Sequence, residues 1–158
     1  MPGYELIGKE EFREVQEVFD KGGILFRHGF DDLRDGCFKV KSFEKAFAEK
    51  NKVKYALAVT SGTAALRVAL AALNIGEGDE VITQCFTFVA TVEAIIESKA
   101  TPICLNIDKT LNLDPSELEK SITPRTKAVI AVHMLGTPAR IEKIREICNK
   151  KKIYLIED

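Results

Sequence analysis

Apolar residues along this chain change their spacing from one stretch to the next, and each change marks an element. Phe12, Val15, Val18 and Phe19 recur at helical intervals in a charged background, which predicts an amphipathic helix over about residues 9–21. Lys21-Gly22-Gly23 ends it, because glycine supplies the backbone freedom needed past a helix. Ile24 to Val40 has no period and mixes aromatics with Arg27, His28, Asp31, Asp32 and Arg34, so it reads as an ordered loop. A second helix is expected around Phe43, Ala46 and Phe47.

From residue 53 the pattern alternates regularly. Val53 to Thr60 reads as a strand, and Ala64 to Asn74 as a helix with Leu66, Ala69, Leu70 and Leu73 on one face. Gly76-Glu77-Gly78-Asp79 turns the chain into a short strand, Glu80 to Thr83. A helix from about Phe88 to Ser98 is expected to carry Val89, Val92 and Ile96 inward. Thr101 to Ile107 is a strand with Pro102 at its start, where the missing N–H is tolerable. Asp114-Pro115-Ser116-Glu117 is a helix start with proline at the first helical position. Ala128 to Val132 is a β-rich run, the helix after Pro138 buries Ile141, Ile144, Ile147 and Cys148, and Lys152 to Ile156 is a last strand. Strands alternating with helices imply an α/β fold, a mostly parallel sheet with helices on both faces. The expected organisation is a helical arm and loop over 1–52, then part of a larger α/β domain over 53–158.

Composition narrows the function classes. With 158 residues and 46% hydrophobic content, the chain can bury a core of ordinary size. A net charge of -1 gives no electrostatic reason to expect nucleic acid or an anionic membrane as partner. No apolar run approaches the roughly 20 residues that span a bilayer, and the first residues lack the pattern of a signal peptide. The expected compartment is the cytoplasm. Cys37, Cys85, Cys104 and Cys148 lie far apart and, with only His28 and His133, do not suggest a metal cluster; buried reduced thiols are expected.

Three strand ends carry candidate chemistry. Ser61-Gly62-Thr63-Ala64 lies between a strand and a helix, where free N–H groups and the helix dipole suit a phosphate; the same residues also make an ordinary N-cap. Neither a P-loop lysine nor a dinucleotide glycine pattern is present. Phe86 and Phe88 follow the next strand, as stacking plates or as helix-start packing. Asp158 closes the last strand, where its carboxylate would pair with a protonated pyridine nitrogen and sustain an electron sink. A hydrophobic strand ending in an acid is an odd terminus, so the chain is expected to be the front part of a larger cofactor enzyme. His133 is expected to be a loop histidine satisfied by backbone, and Arg27 and Arg34 solvated surface cations.

In order and spacing, Ser61-Gly62-Thr63-Ala64-Ala65-Leu66, Gly78-Asp79-Glu80-Val81-Ile82, Thr87-Phe88-Val89-Ala90-Thr91, Ile122-Thr123-Pro124-Arg125-Thr126-Lys127, Val132-His133 and Ile156-Glu157-Asp158 resemble the signatures of DegT/StrS-type sugar aminotransferases. That resemblance implies a fold-type I, pyridoxal 5'-phosphate enzyme. It implies Gly62, Thr63 and Ala64 at the cofactor phosphate, Phe88 stacked on the ring and Asp158 at its nitrogen. It further implies an amino-acid donor, glutamate for preference, a keto- or aldehyde-sugar acceptor, and a homodimer. The family's Schiff-base lysine would lie downstream of Asp158, so no catalytic residue is assigned and this stretch alone is expected to be inactive. Relatives that carry histidine there are sugar dehydratases, and a non-catalytic binding module is the remaining alternative. Met1-Pro2-Gly3-Tyr4-Glu5-Leu6 and Phe26-Arg27-His28-Gly29-Phe30 are similar to the subgroup that aminates 8-oxo-3,8-dideoxy-manno-octulosonate.

Overall fold

The order in which the strands lie side by side explains most of the architecture. In the computed structural model, which describes residues 3–158, a four-stranded sheet runs β2-β1-β3-β4 with every neighbouring pair parallel. The strands are β1 (Glu80–Gln84), β2 (Thr101–Leu105), β3 (Thr126–Ala131) and β4 (Tyr154–Glu157). The chain steps from β1 to β2 in one direction, then crosses back over β1 to lay down β3 and β4 in the other. Crossovers between parallel strands are right-handed, so reversing direction moves the connecting helices to the opposite face.

The core shows that consequence. On one face α3 (Gly62–Ala72) and α4 (Val89–Glu97) bury Leu66, Leu70, Ala94 and Ile95 against Val81, Ala128 and Ile130. On the other, α5 (Pro115–Ser121) and α6 (Ile141–Lys151) bury Leu118, Ile144 and Cys148 against Ile82, Val129 and Ala131. Consecutive residues of β1 and β3 thus point to alternate cores, and both faces are covered, as the apolar runs require. Asp114 caps α5 by accepting from the Ser116 amide at 2.9 Å, with Pro115 in the first turn as expected.

The chain divides into two compact units, Met1–Ala58 and Val59–Asp158. The first holds α1 (Lys9–Asp20) and α2 (Lys39–Lys50); Met1 and Pro2, part of the quoted N-terminal segment, lie outside the described residues. Lys39 of α2 bridges Glu14 and Glu17 of α1 at 2.5 and 2.6 Å. The predicted stripe on α1 forms at helical spacing but none of its residues is buried; Phe12 and Phe19 stay exposed.

Four expectations are corrected. Residues 53–60 are not a strand: Ala56 and Ala58 are half-buried and Tyr55, Leu57 and Val59 exposed, but no strand among the described residues pairs with them. The Ala58 amide goes instead to Glu44 Oε1 at 2.9 Å, and without a ladder partner an alternating run stays unpaired. The inward face of α4 is Ala90, Thr91, Ala94 and Ile95, whereas Val89 and Ile96 are exposed. Three of the cysteines are not buried: Cys85 and Cys104 are exposed and Cys37 half-buried, leaving only Cys148 interior. Cys104 lies on the sheet's edge strand and Cys85 just past the end of β1, and neither belongs to the two buried clusters.

Arg34 is not a surface cation either. It is 4% exposed and donates through Nε to the Gly29 carbonyl at 2.7 Å and through Nη2 to the Phe26 carbonyl, holding the 26–34 loop from inside. Arg27 grips Glu44 with both carboxylate oxygens, at 2.7 Å for the Nη2–Oε2 contact. That grip, and then the Ala58 amide, keep the Glu44 carboxyl below its ordinary range.

Candidate active site

In open parallel sheets, ligands bind beyond the carboxyl ends of the strands, at the point where strand order reverses. Here the reversal lies between β1 and β3. A cavity of about 330 Å³ opens there, lined by Gly62, Thr63, Leu66, Thr87, Phe88, Ala90, Thr91, Val132, Met134 and Asp158. It draws residues from the start of α3, from the loops after β1 and β3, and from the end of β4. A groove of about 500 Å³ between α3 and α4 is larger, but it holds only the exposed Arg67–Glu97 pair and no convergent donors.

Each wall follows from local structure. Ser61 caps α3 through its hydroxyl, which accepts from the Ala64 amide at 3.1 Å, and its carbonyl takes the Ala65 amide at 3.0 Å. The Gly62 and Thr63 amides come before the first helical bond and face the cavity end of the dipole. A Cβ added at Gly62 would meet no protein atom within 4 Å. Packing therefore does not demand glycine there; its missing side chain leaves open room at the cavity rim.

Phe88 precedes the first residue of α4 and is 75% exposed, a large ring offered outward rather than packed. Asp158 is held by main-chain pairing that continues past the strands: its amide donates to the Ala131 carbonyl at 2.9 Å and its carbonyl accepts from the His133 amide at 3.0 Å. Its Oδ2 accepts from the Thr91 hydroxyl at 3.0 Å.

Of the five residues singled out from sequence, the structure brings Gly62, Thr63, Phe88 and Asp158 around one cavity. Ala64 falls outside that lining; it faces the α3–α4 groove and its amide is occupied by Ser61. His133 is satisfied by backbone as expected. Its Nδ1 accepts from the Ala139 amide at 3.0 Å, so Nε2 carries the proton toward Glu157 at 3.4 Å. Sequence reasoning gave no part to Thr87, Thr91, Leu66 or Met134. Thr91 had a signal: it shares the inward stripe of α4 with Ala94 and Ile95, and a polar side chain at a core position requires a partner.

Buried polar side chains fix the cavity's loops. Gln84, at the end of β1, accepts from the Leu113 and Val132 amides and donates to the Phe86 and Leu111 carbonyls. Asn112 accepts from the Met134 amide at 2.9 Å and donates to the Thr137 carbonyl at 3.0 Å. Among the described residues no three His, Cys, Asp or Glu are placed to hold a metal ion. No helix described is long and apolar enough to cross a membrane.

A parallel sheet covered on both faces, with donors, an aromatic ring and an acid at its switch point, is the layout of an α/β enzyme. Over residues 6–158 the chain matches the DegT/DnrJ/EryC1/StrS aminotransferase family, and it belongs to that family. It is 45% identical over 97% of its length to the spore coat polysaccharide biosynthesis protein SpsC of Bacillus subtilis (strain 168), covering 37% of that protein. It is 44% identical over its whole length to GDP-perosamine synthase of Escherichia coli O157:H7, covering 42% of it. The chain thus spans about two fifths of these relatives. Among solved structures, 3-amino-5-hydroxybenzoic acid synthase superposes with a TM-score of 0.89 at 33% identity, covering 99% of this chain and 39% of that one. E. coli GDP-4-keto-6-deoxy-D-mannose-3-dehydratase with bound hydrated PLP gives 0.80 at 30%, covering 96% and 38%.

Proposed function

We propose that this chain forms the cofactor-holding part of a pyridoxal 5'-phosphate enzyme that moves an amino group from an amino acid, preferably glutamate, to a keto- or aldehyde-sugar. The observation that carries the proposal is the convergence of Gly62, Thr63, Phe88 and Asp158 on one cavity at the sheet's switch point. Those groups fit the cofactor's parts. Two amides at the positive end of α3, with open room at Gly62, suit a phosphate. An outward aromatic ring suits a flat heterocycle, and a fixed carboxylate suits a ring nitrogen that carries a proton. Family membership supports the assignment, as does the cofactor bound by the dehydratase relative.

When bound, the cofactor supplies an electron sink for charge developing at the substrate's α-carbon. The protein's part is to hold and orient. Gly62 and Thr63 anchor the phosphate while the Ala64 amide remains with Ser61. Phe88 covers one face of the ring and sheds water from it, and Asp158 keeps a proton at the ring nitrogen. No lysine lines the cavity among the described residues, so none is given a proton-transfer role. In this reading the active enzyme is a homodimer, and 8-oxo-3,8-dideoxy-manno-octulosonate is one candidate acceptor.

A second reading, a dehydratase of the same family, is favoured by similarity to the E. coli 3-dehydratase. One experiment separates them. The full-length protein is given pyridoxal 5'-phosphate, L-glutamate and a panel of keto- and aldehyde-sugars, and products are identified by mass. Aminated sugar with an equivalent of 2-oxoglutarate supports transfer. Sugar that has lost water without gaining nitrogen supports dehydration. A protein that leaves the cofactor spectrum unchanged overturns both.

A further inference from the structure

Resting on the cofactor reading above, we infer that Thr87 and Thr91 form a directed hydroxyl relay that positions the Asp158 carboxylate toward the cofactor ring. Thr91 Oγ1 donates to Asp158 Oδ2 at 3.0 Å and lies 3.0 Å from Thr87 Oγ1. A hydroxyl has one proton. Since the Thr91 proton goes to Asp158, the Thr87 hydroxyl is the donor to Thr91, and the chain runs Thr87 to Thr91 to Asp158. Each link polarises the next, so the final donor is stronger than an isolated hydroxyl.

The geometry gives this relay a positioning task. Main-chain bonds to Ala131 and His133 fix the Asp158 backbone but leave its two side-chain torsions free. The Thr91 hydroxyl removes that freedom by taking Oδ2, which leaves Oδ1 as the oxygen offered to a ligand. Thr91 is 1% exposed, so water competes poorly for the bond. Its backbone is held in the first turn of α4 by the Thr91 amide, which donates to the Phe88 carbonyl at 3.1 Å. The residue that orients the acid is therefore joined through its backbone to the residue that carries the aromatic plate.

The test uses the full-length protein and pyridoxamine 5'-phosphate carrying ¹⁵N at the ring nitrogen. Affinity comes from fluorescence titration, and protonation of the ring nitrogen from its ¹⁵N shift. Thr91→Val is expected to weaken binding about tenfold, the lower end for a residue that orients a ligating group, and to move the shift toward the unprotonated value. Thr91→Ser should restore both, and Thr87→Val should produce a smaller change of the same sign. In an Asp158→Asn background Thr91→Val should be silent. Wild-type behaviour in Thr91→Val, or an undiminished loss in the Asp158→Asn background, would overturn the relay while leaving the cofactor reading intact. Failure of the parent protein to bind the probe overturns both. Should Thr91→Val not fold, Thr87→Val in the two backgrounds decides by the same comparison.

Discussion

Gln84→Leu should destabilise the carboxyl edge of the sheet far more than a surface change, and the size follows from its bonds. The side chain is fully buried and uses all four of its hydrogen-bonding positions. Oε1 accepts from the Leu113 and Val132 amides at 3.2 and 3.3 Å, and Nε2 donates to the Phe86 and Leu111 carbonyls at 2.9 and 3.3 Å. Leucine has nearly the same volume and satisfies none of them. Phe86 and Leu111 are exposed, so their carbonyls turn to water. Leu113 is fully buried and Val132 half-buried, which strands two N–H donors.

A stranded buried donor costs about 1–3 kcal/mol, so two cost about 2–6 kcal/mol. Extra apolar burial by leucine returns about 1–2 kcal/mol. At the centre of these two ranges the expected net loss is about 2.5 kcal/mol, a large share of the roughly 5–15 kcal/mol that holds an ordinary domain together. Hydrogen exchange on the full-length protein reads this locally: the Leu113 and Val132 amides should exchange about 60-fold faster, at a factor of ten for each 1.4 kcal/mol. Because the same side chain joins Val132, in the cavity wall, to Phe86, just before Thr87 and Phe88, cofactor affinity should fall as well. Unchanged exchange at both amides would show that Gln84 is not the brace its contacts describe.

Three further outcomes are expected. Phe88→Ala should weaken pyridoxal 5'-phosphate binding about three- to tenfold, the worth of one stacked ring, while moving the unfolding midpoint little because the ring is 75% exposed; equal affinities in a titration would contradict the stacking role. The Glu80 carboxyl is held below its ordinary range first by the Thr123 hydroxyl and then by Arg125, both at 2.5 Å. Its stabilisation is therefore complete above the unfolded value of about 4.3 and disappears as pH falls through the lower folded value, so Glu80→Gln should flatten the acid limb of stability measured from pH 6 to 3; parallel limbs would refute this. Burial pushes the Cys148 thiol up to about 11, whereas Cys85 and Cys104 are exposed. A thiol reagent followed by peptide mapping should label those two in the native protein and Cys148 only after unfolding, and early labelling of Cys148 would contradict the packing.

Apolar spacing, with the turn and cap signals around it, revealed the α/β class and a counterpart for each of the six α-helices and four strands of the described residues. Short, continuous β-rich apolar runs suit strands covered on both faces, and β1 and β3 divide their side chains between two cores accordingly. The same reasoning failed at residues 53–60, where alternation is present but a strand also needs a ladder partner, and sequence does not say where one will be. It failed on α4 for a different reason. Val89, Val92 and Ile96 look like the better inward stripe by hydrophobicity, yet Ala90, Ala94 and Ile95 pack inward because small residues let helix and sheet approach closely. That error hid Thr91, which the corrected stripe carries into the site.

Distance along the chain hides the rest of the site, and topology restores it. Thr63, Phe88 and Asp158 are separated by whole strand–helix units, and the sequence joins them only through their places beside predicted strand ends and the family resemblance. Their meeting follows from the reversal between β1 and β3: a right-handed crossover in each direction leaves the loops after β1 and β3 diverging to opposite faces, and a cavity remains between them. The acid at the end of β4 reaches that cavity only because the β3–β4 ladder continues through the Asp158 and His133 main chains. Breaking that extension should therefore affect the site before the core. A proline at His133 removes the donor to the Asp158 carbonyl and, with the imidazole, the acceptor of the buried Ala139 amide. His133→Ala loses only the second and is the reference against which the proline is read. His133→Pro is expected to lower affinity for pyridoxamine 5'-phosphate more than it lowers the unfolding midpoint, and the opposite order would place Asp158 outside the site.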